Sequence, residues 1–287
     1  MPHSQLNLGK INYLNCWPLF NQLQTALTSE CFNLISGHPA RLNAGLKEDR
    51  IDISPSSSML LAHDNADDDY FILPDITIAS LTEVRSVILL SRKPLNELNH
   101  STISLTNQSL TSIFLLKIIL FHFHKLNPDS ISFTAGEFST NTSPPDAALI
   151  IGDQALKFYH NPPADYKVYD LGRLWYEFTG LPFVYALWIG RKSALQEKSS
   201  IIKDLHCALK KIITDLPEKF ARLTPCALAE TENRAEITPA QLTSYWQQAI
   251  SYRLDQPALT GLDLFYRLAW KMELIKQVPK LEFFPAS

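Results

Sequence analysis

Nine glycines are scattered through 287 residues, and none of them falls in a GxGxxG or GxxxxGK[ST] run. Neither the phosphate turn of a dinucleotide-binding fold nor a P-loop is therefore expected. The four cysteines, Cys16, Cys31, Cys207 and Cys226, form no CxxC pair, which leaves no spacing for a cysteine zinc site or a dithiol redox couple. The formal net charge of −3 comes with no basic block that would hold nucleic acid. The longest apolar run, IFLLKIILFHF, is broken by Lys117 and is too short to cross a bilayer. The N-terminal MPHSQLNLGKINY lacks the basic and apolar regions of a secretory leader. These absences predict a cytoplasmic protein with reduced thiols, without nucleic acid or membrane, and favour cofactor-free chemistry or plain binding.

What the chain does have is alternation. Its 46% hydrophobic and 19% charged residues suit a globular core. Its length exceeds the usual single core, so two lobes or one large α/β domain are expected. LNLGKIN, CFNLIS and the lead of IDISPSSS are strand-like. With the amphipathic PLFNQLQTAL and ARLNAGLKED between them, they make a β-α-β-α-β series. ITIAS and VRSVILLS follow as strands leading out of this unit. STISLT opens a second alternation, with a helix from SLTSIFLLKIILFHFHKL, strands ISFTAG and AALIIGD, a helix QALKFYH and the strand LPFVYALWIGR. From Ser193 the pattern turns to long helices, one of them begun by Thr238 as N-cap with Pro239 in the first turn. The organisation predicted is a lobe 1 of residues 1–91 and 189–287, with a lobe 2 of residues 92–188 inserted into it.

Two serine-rich stretches are candidates for holding an anion. DISPSSS gathers Ser54, Ser56, Ser57 and Ser58 around Pro55 at a predicted strand-to-helix junction, where hydroxyls can cap and free backbone N–H groups attract negative charge. TNQSLTSIFLL repeats the arrangement with Ser109, Thr111 and Ser112. One such start is ordinary capping, whereas two, one per lobe, suit the two ends of a dicarboxylate. Asp153 in LIIGDQAL reads as a helix N-cap, with acid–base work in a cleft as the sharper alternative, and Gly152 beside it permits close backbone approach. Thr179 and Gly180 stand at the mouth of TGLPFVYALW, where they would line a cleft. His122 and His124 are two apart and do not share a helix face, which counts against a metal pair. The acidic DNADDDY, residues 64–70, reads as a solvated loop.

Taken in order, INYLNCWPLF, DISPSSS, SVILLSRKPL, SLTSIFLLK, AALIIGDQAL, DLGRLW and TGLPFVYALW resemble chorismate dehydratase of the futalosine route to menaquinone, over about residues 9–191. The resemblance implies an α/β, two-lobed type 2 periplasmic-binding-protein-like fold with an interlobe cleft. It also implies a lyase, a hydro-lyase that converts chorismate to 3-[(1-carboxyvinyl)oxy]benzoate without metal or organic cofactor. Ser86, which opens SVILLSRKPL, is implied as a substrate contact. The sister enzyme, 1,4-dihydroxy-6-naphthoate synthase, typically carries a Ser-Pro-Cys-Pro-Asn-Asp type turn where this chain has NYLNCWP, and the difference favours the dehydratase. Asn12 and Trp17 depart from the serine and the small residue common in the family.

On this reading Tyr13 and Asn15 face the reacting ring, with Asn15 on the departing hydroxyl or the side-chain carboxylate. Ser56, Ser57, Thr111 and Ser112 hold the two carboxylates. The base is the enolpyruvyl carboxylate of the substrate itself, or Asp153. The rival from another class is a cleft-type protein that binds a small anion and returns it unchanged.

Overall fold

The computed structural model describes residues 5–27, 31–62, 69–136, 138, 145–231 and 236–285. Most of the acidic run, residues 64–68, lies outside these. The chain opens with the expected series: β1 (Leu6–Ile11), α1 (Trp17–Ala26), β2 (Phe32–Gly37), α2 (Pro39–Lys47) and β3 (Ile53–Ser57). β1 runs parallel to β2 in register from Leu6 opposite Phe32 to Ile11 opposite Gly37, and α1 and α2 are the crossovers. β4 (Tyr70–Ser80), β10 (Phe183–Arg191) and β11 (Ser251–Arg253) complete a first sheet of order β11-β4-β10-β3-β1-β2.

The second sheet, of order β7-β6-β8-β5-β9, is made from β5 (Val87–Ser91), β6 (Thr102–Leu105), β7 (Ser132–Ala135), β8 (Ala147–Ile151) and β9 (Lys167–Asp170). Around it lie α3 (Leu110–Lys117), which continues as a π-helical turn Ile118–Phe123, α4 (Gly152–His160) and α5 (Leu171–Thr179). The chain then returns through β10 to α6 (Lys192–Glu230), α7 (Pro239–Ser244) with its π-helical turn Tyr245–Ala249, and α8 (Gln256–Lys271). The result is an α/β, two-lobed fold, one lobe per sheet. Alternation along β5 turns Val87 and Leu89 into the large apolar cluster shared with the first lobe, and Ile88 and Leu90 into a smaller cluster with Ala148 and Ile150.

Several local readings change. The chain passes between the sheets through residues 81–86 and 180–182, because β5 pairs with β8 and β9 while all of β10 pairs with β3 and β4. Crossings at 91/92 and 188/189 would have cut β10 in two and left β5 in the wrong sheet. The strand-to-helix junction of DISPSSS falls at its last residue, where β3 gives way to a short 3-10 helix, Ser58–Ala62, and not at Pro55. Residues 53–57 are fully buried strand, and Pro55 stands opposite Trp188 of β10. Proline fits there because β3 pairs with β1 only at Ile53, so the missing N–H is not called on. SYRL, read as helix, is the short edge strand β11. Thr238 is an N-cap as predicted, in a reciprocal capping box with Gln241 and with proline in the first turn.

No helix of the described residues is long and apolar enough to cross a membrane. The four cysteines are free thiols.

Candidate active site

A cleft of about 60 Å³ opens between the lobes where β1, β3 and β8 reach their carboxyl ends, the position at which open α/β sheets take ligands. Tyr13, Asn15, Ser57 and Tyr185 line it from the first lobe. Ser86, Ser109, Ser112 and Gly152 line it from the crossing and the second lobe, and its walls are apolar, with Ile11, Ile78, Val87, Ile151 and Ile250. None of the described residues lining it carries a carboxylate, an imidazole or a cation.

The turn after β1 is the most heavily braced part of the cleft. Tyr252 donates its hydroxyl to the Asn15 carbonyl at 2.5 Å, and Trp246 donates its indole N–H to the Leu14 carbonyl at 2.8 Å. With the backbone held this way the Asn15 carboxamide lines the cleft, and its Oδ1 is buried with no hydrogen-bond partner among the described residues. A buried acceptor left empty is costly in a folded protein, and a ligand donor in the cleft would fill it. Cys16 is fully buried beneath the turn and burial pushes its thiol far up, so it stays neutral. Trp17 stacks on Trp246 at 6.1 Å and donates to Glu230 at 2.8 Å, away from the cleft, so its bulk does not shape the pocket.

Tyr13 bridges the lobes. Its hydroxyl donates to Gln108 Oε1, and its ring lies so close to Gly152 that a Cβ there would stand 2.7 Å from Cε1. Gly152 has φ +68°, a left-handed conformation that permits both the turn into α4 and this approach. On the far side of Tyr13 is a second chamber of about 280 Å³, lined among others by Asn12, His38, Gln108 and Asp153.

In the second lobe, Ser109 caps α3 by accepting the Ser112 N–H at 3.4 Å, and the two hydroxyls are 3.0 Å apart. Both therefore present oxygens at a helix N-terminus that faces the cleft. Ser57, at the end of β3, is 2.6 Å from the Thr111 hydroxyl, which does not line the cleft but stands behind Ser57. Ser54 and Ser56 lie on the opposite face of β3 from Ser57, as the period of two requires. Both are fully buried, Ser54 donating to the Pro55 carbonyl and Ser56 having no partner, and neither reaches the cleft. Thr179 and Gly180 belong to the C-terminus of α5. Thr179 donates to the Trp175 carbonyl at 2.7 Å and Gly180 is its left-handed C-cap, so they serve the helix end and not the cleft.

Asp153 is not an N-cap. The helix starts from Ile151 and Gly152, and the carboxylate reaches across to accept the Leu14 N–H at 2.9 Å. Burial pushes the Asp153 carboxyl up to about 6, with the Leu14 bond pulling the other way. An unfolded aspartate titrates near 3.9. The raised value therefore favours the protonated folded form, giving stability that is complete below about pH 4 and lost as pH rises through about 6. Asp153→Asn keeps an oxygen for Leu14 and removes the titration. The melting temperature of the variant minus that of the parent should rise between about pH 4 and pH 7, and a difference that stays flat would contradict the assignment.

Sequence reasoning missed Tyr185, Tyr252, Trp246, Gln108 and Tyr245. Tyr185 sits in an apolar run indistinguishable from core, Tyr245, Trp246 and Tyr252 sit in the helical-looking TSYWQQAISYRL with no motif around them, and Gln108 stands beside Ser109, the one available signal.

A two-lobed α/β fold with a polar-floored cleft at the sheet ends defines the class of periplasmic-binding-protein-like folds. Solved structures agree on this: a protein of Archaeoglobus fulgidus matches with a TM-score of 0.73 at 15% identity, over 94% of this chain and 98% of that one. A Candida albicans protein described as having the generic periplasmic binding protein fold matches with a TM-score of 0.69 at 13% identity, over 99% and 98%. A family model described as menaquinone biosynthesis matches residues 6–271. The chain belongs to that family. A curated relative from Thermus thermophilus, named chorismate dehydratase, is 31% identical over 275 residues, 90% of this chain and 93% of that protein.

Proposed function

We propose that the protein is a hydro-lyase that removes water from chorismate to give 3-[(1-carboxyvinyl)oxy]benzoate, with the interlobe cleft as its active site. The name of the Thermus relative supports the substrate. The observation that carries the mechanism is the lining itself, which among the described residues offers hydroxyls, a carboxamide and a helix N-terminus but no carboxylate, imidazole or amine.

The C3 proton of chorismate is allylic, and its loss spreads negative charge through the C1–C2 double bond to the ring carboxylate. Ser109, Ser112 and the start of α3 hold that carboxylate, and their donors stabilise the charge as it develops. Ser57, oriented by Thr111, adds a third hydroxyl. The enolpyruvyl carboxylate, attached through oxygen at C3 itself, takes the proton intramolecularly. The Asn15 amide N–H donates to this carboxylate while Oδ1 accepts the C4 hydroxyl hydrogen, which holds base and leaving group in place. Hydroxide leaves C4 with help from the Ser86 hydroxyl and recovers the proton as water, and the ring becomes aromatic. Asp153, with one oxygen on Leu14 and its place in the second chamber, positions the turn and is not the base. Asp153→Asn should accordingly keep kcat within about tenfold of the parent. A loss of about a thousandfold would return Asp153 to the role of base.

The function is tested by incubating the purified protein with chorismate and following the loss of diene absorbance with identification of the product. Stoichiometric aromatic enol ether supports the proposal. Chorismate that binds and is returned unchanged would support a binding protein instead.

A further inference from the structure

One side chain of the C-terminal helical region reaches a residue that lines the cleft. Tyr245, on the π-helical turn after α7, is 1% exposed and donates its hydroxyl to Ser86 Oγ at 2.8 Å. A hydroxyl oxygen that accepts such a bond is left with its own hydrogen to give. Among the described residues the acceptor recorded for that hydrogen is the Val84 carbonyl at 3.3 Å, beyond the usual O–H···O range of about 2.5–3.0 Å. The Ser86 donor is therefore weakly engaged within the protein and free for a ligand oxygen in the cleft that it lines. Burial keeps the Tyr245 phenol protonated, so the donor role is constant across the working pH range.

The turn that carries Tyr245 is tied to the segment that carries Ser86. Arg85, with φ +58°, donates through its guanidinium to Ser244 Oγ at 2.8 Å and Gln248 Oε1 at 3.0 Å, on either side of Tyr245. The backbone N–H groups of Val84 and Arg85 are in turn held by the Asp170 carboxylate, the shortest contact being 2.6 Å. A left-handed non-glycine residue costs energy and persists where its surroundings fix it, and here both its backbone and its side chain are fixed. We propose that Tyr245 is a positioning residue for the dehydration. By occupying the Ser86 oxygen as acceptor, it aims the Ser86 hydrogen at the departing hydroxyl, and the Arg85 brace keeps the two in register.

This inference rests on the dehydratase reading, and a double-substitution cycle on chorismate turnover separates the two. Tyr245→Phe should lower kcat about tenfold with KM within about twofold, the size of one lost hydrogen bond. In a Ser86→Ala chain the same change should have no further effect, because there is no hydroxyl left to aim. Gln248→Ala, at an exposed position that holds Arg85, is the milder second variant. It should cost about twofold to threefold in kcat and likewise lose its effect beside Ser86→Ala. A Tyr245→Phe enzyme with parental kcat, or losses that multiply in the double variant, would overturn the inference. A parent chain that turns chorismate over while Tyr245→Phe does so equally well removes this inference alone. A parent chain that leaves chorismate unchanged removes the dehydratase reading and the inference with it.

Discussion

Asn15→Ala is expected to lower kcat on chorismate by about a hundredfold or more while KM stays within about threefold, in steady-state rates of diene loss. The reason is positional. The Asn15 backbone is clamped by Tyr252, and its Oδ1 is a buried acceptor with no partner among the described residues. Its amide is therefore presented to the ligand with its orientation already fixed, and truncation releases both the proton-accepting carboxylate and the leaving hydroxyl. Ground-state binding is shared with Ser57, Ser109 and Ser112, which the substitution leaves in place. A variant with near-parental kcat would remove Asn15 from the chemistry, and a large rise in KM alone would reduce it to a binding group.

Gly152→Ala is the second large effect. An L-residue at φ +68° costs about 1–2 kcal/mol, and the new methyl would stand 2.7 Å from the Tyr13 ring, which Gln108 holds from the other lobe. Either the helix start or the bridge between the lobes must give. We expect kcat/KM to fall at least about tenfold and the melting temperature to drop by several degrees. Adding Tyr13→Ala removes the steric conflict and leaves the backbone cost. The further loss caused by Gly152→Ala should therefore shrink in that background, while the drop in melting temperature persists. Full activity of Gly152→Ala would mean that the two lobes do not need to meet at this point.

The β-α-β-α-β opening was legible because each strand and helix carried its own period, and the Thr238 cap was legible because capping is local. The division between lobes was not, since β5 and β10 are both continuous apolar strands and nothing in their composition says which sheet takes them. Of the two serine clusters, TNQSLTSIFLL starts a helix capped by Ser109, with Ser109 and Ser112 lining the cleft and Thr111 set behind it. DISPSSS does so only in part, because Pro55 with Ser54, Ser56 and Ser57 was absorbed into a buried strand by pairing with β10, which leaves Ser58 alone to start a 3-10 helix. Only Ser57 of that cluster reaches the cleft, a consequence of strand alternation that became decidable once the segment was known to be strand. Asp153 misled for a related reason. Its position at a helix start is that of an N-cap, whereas its partner, Leu14, is 139 residues away. The tyrosines and tryptophan that brace the turn after β1 act through polar tips at the ends of apolar side chains, and periodicity registers only the apolar part.

The mechanism stands on the substrate supplying its own base in a cleft whose described lining holds no carboxylate, imidazole or amine. Its most direct test is a chorismate analogue in which the enolpyruvyl carboxyl is an amide, offered to the parent protein at concentrations that compete with chorismate. If the carboxylate is the base, the analogue binds, inhibits and yields no aromatic product. Aromatic product formed from the amide at a rate comparable to that from chorismate would place the base on the protein and contradict the mechanism.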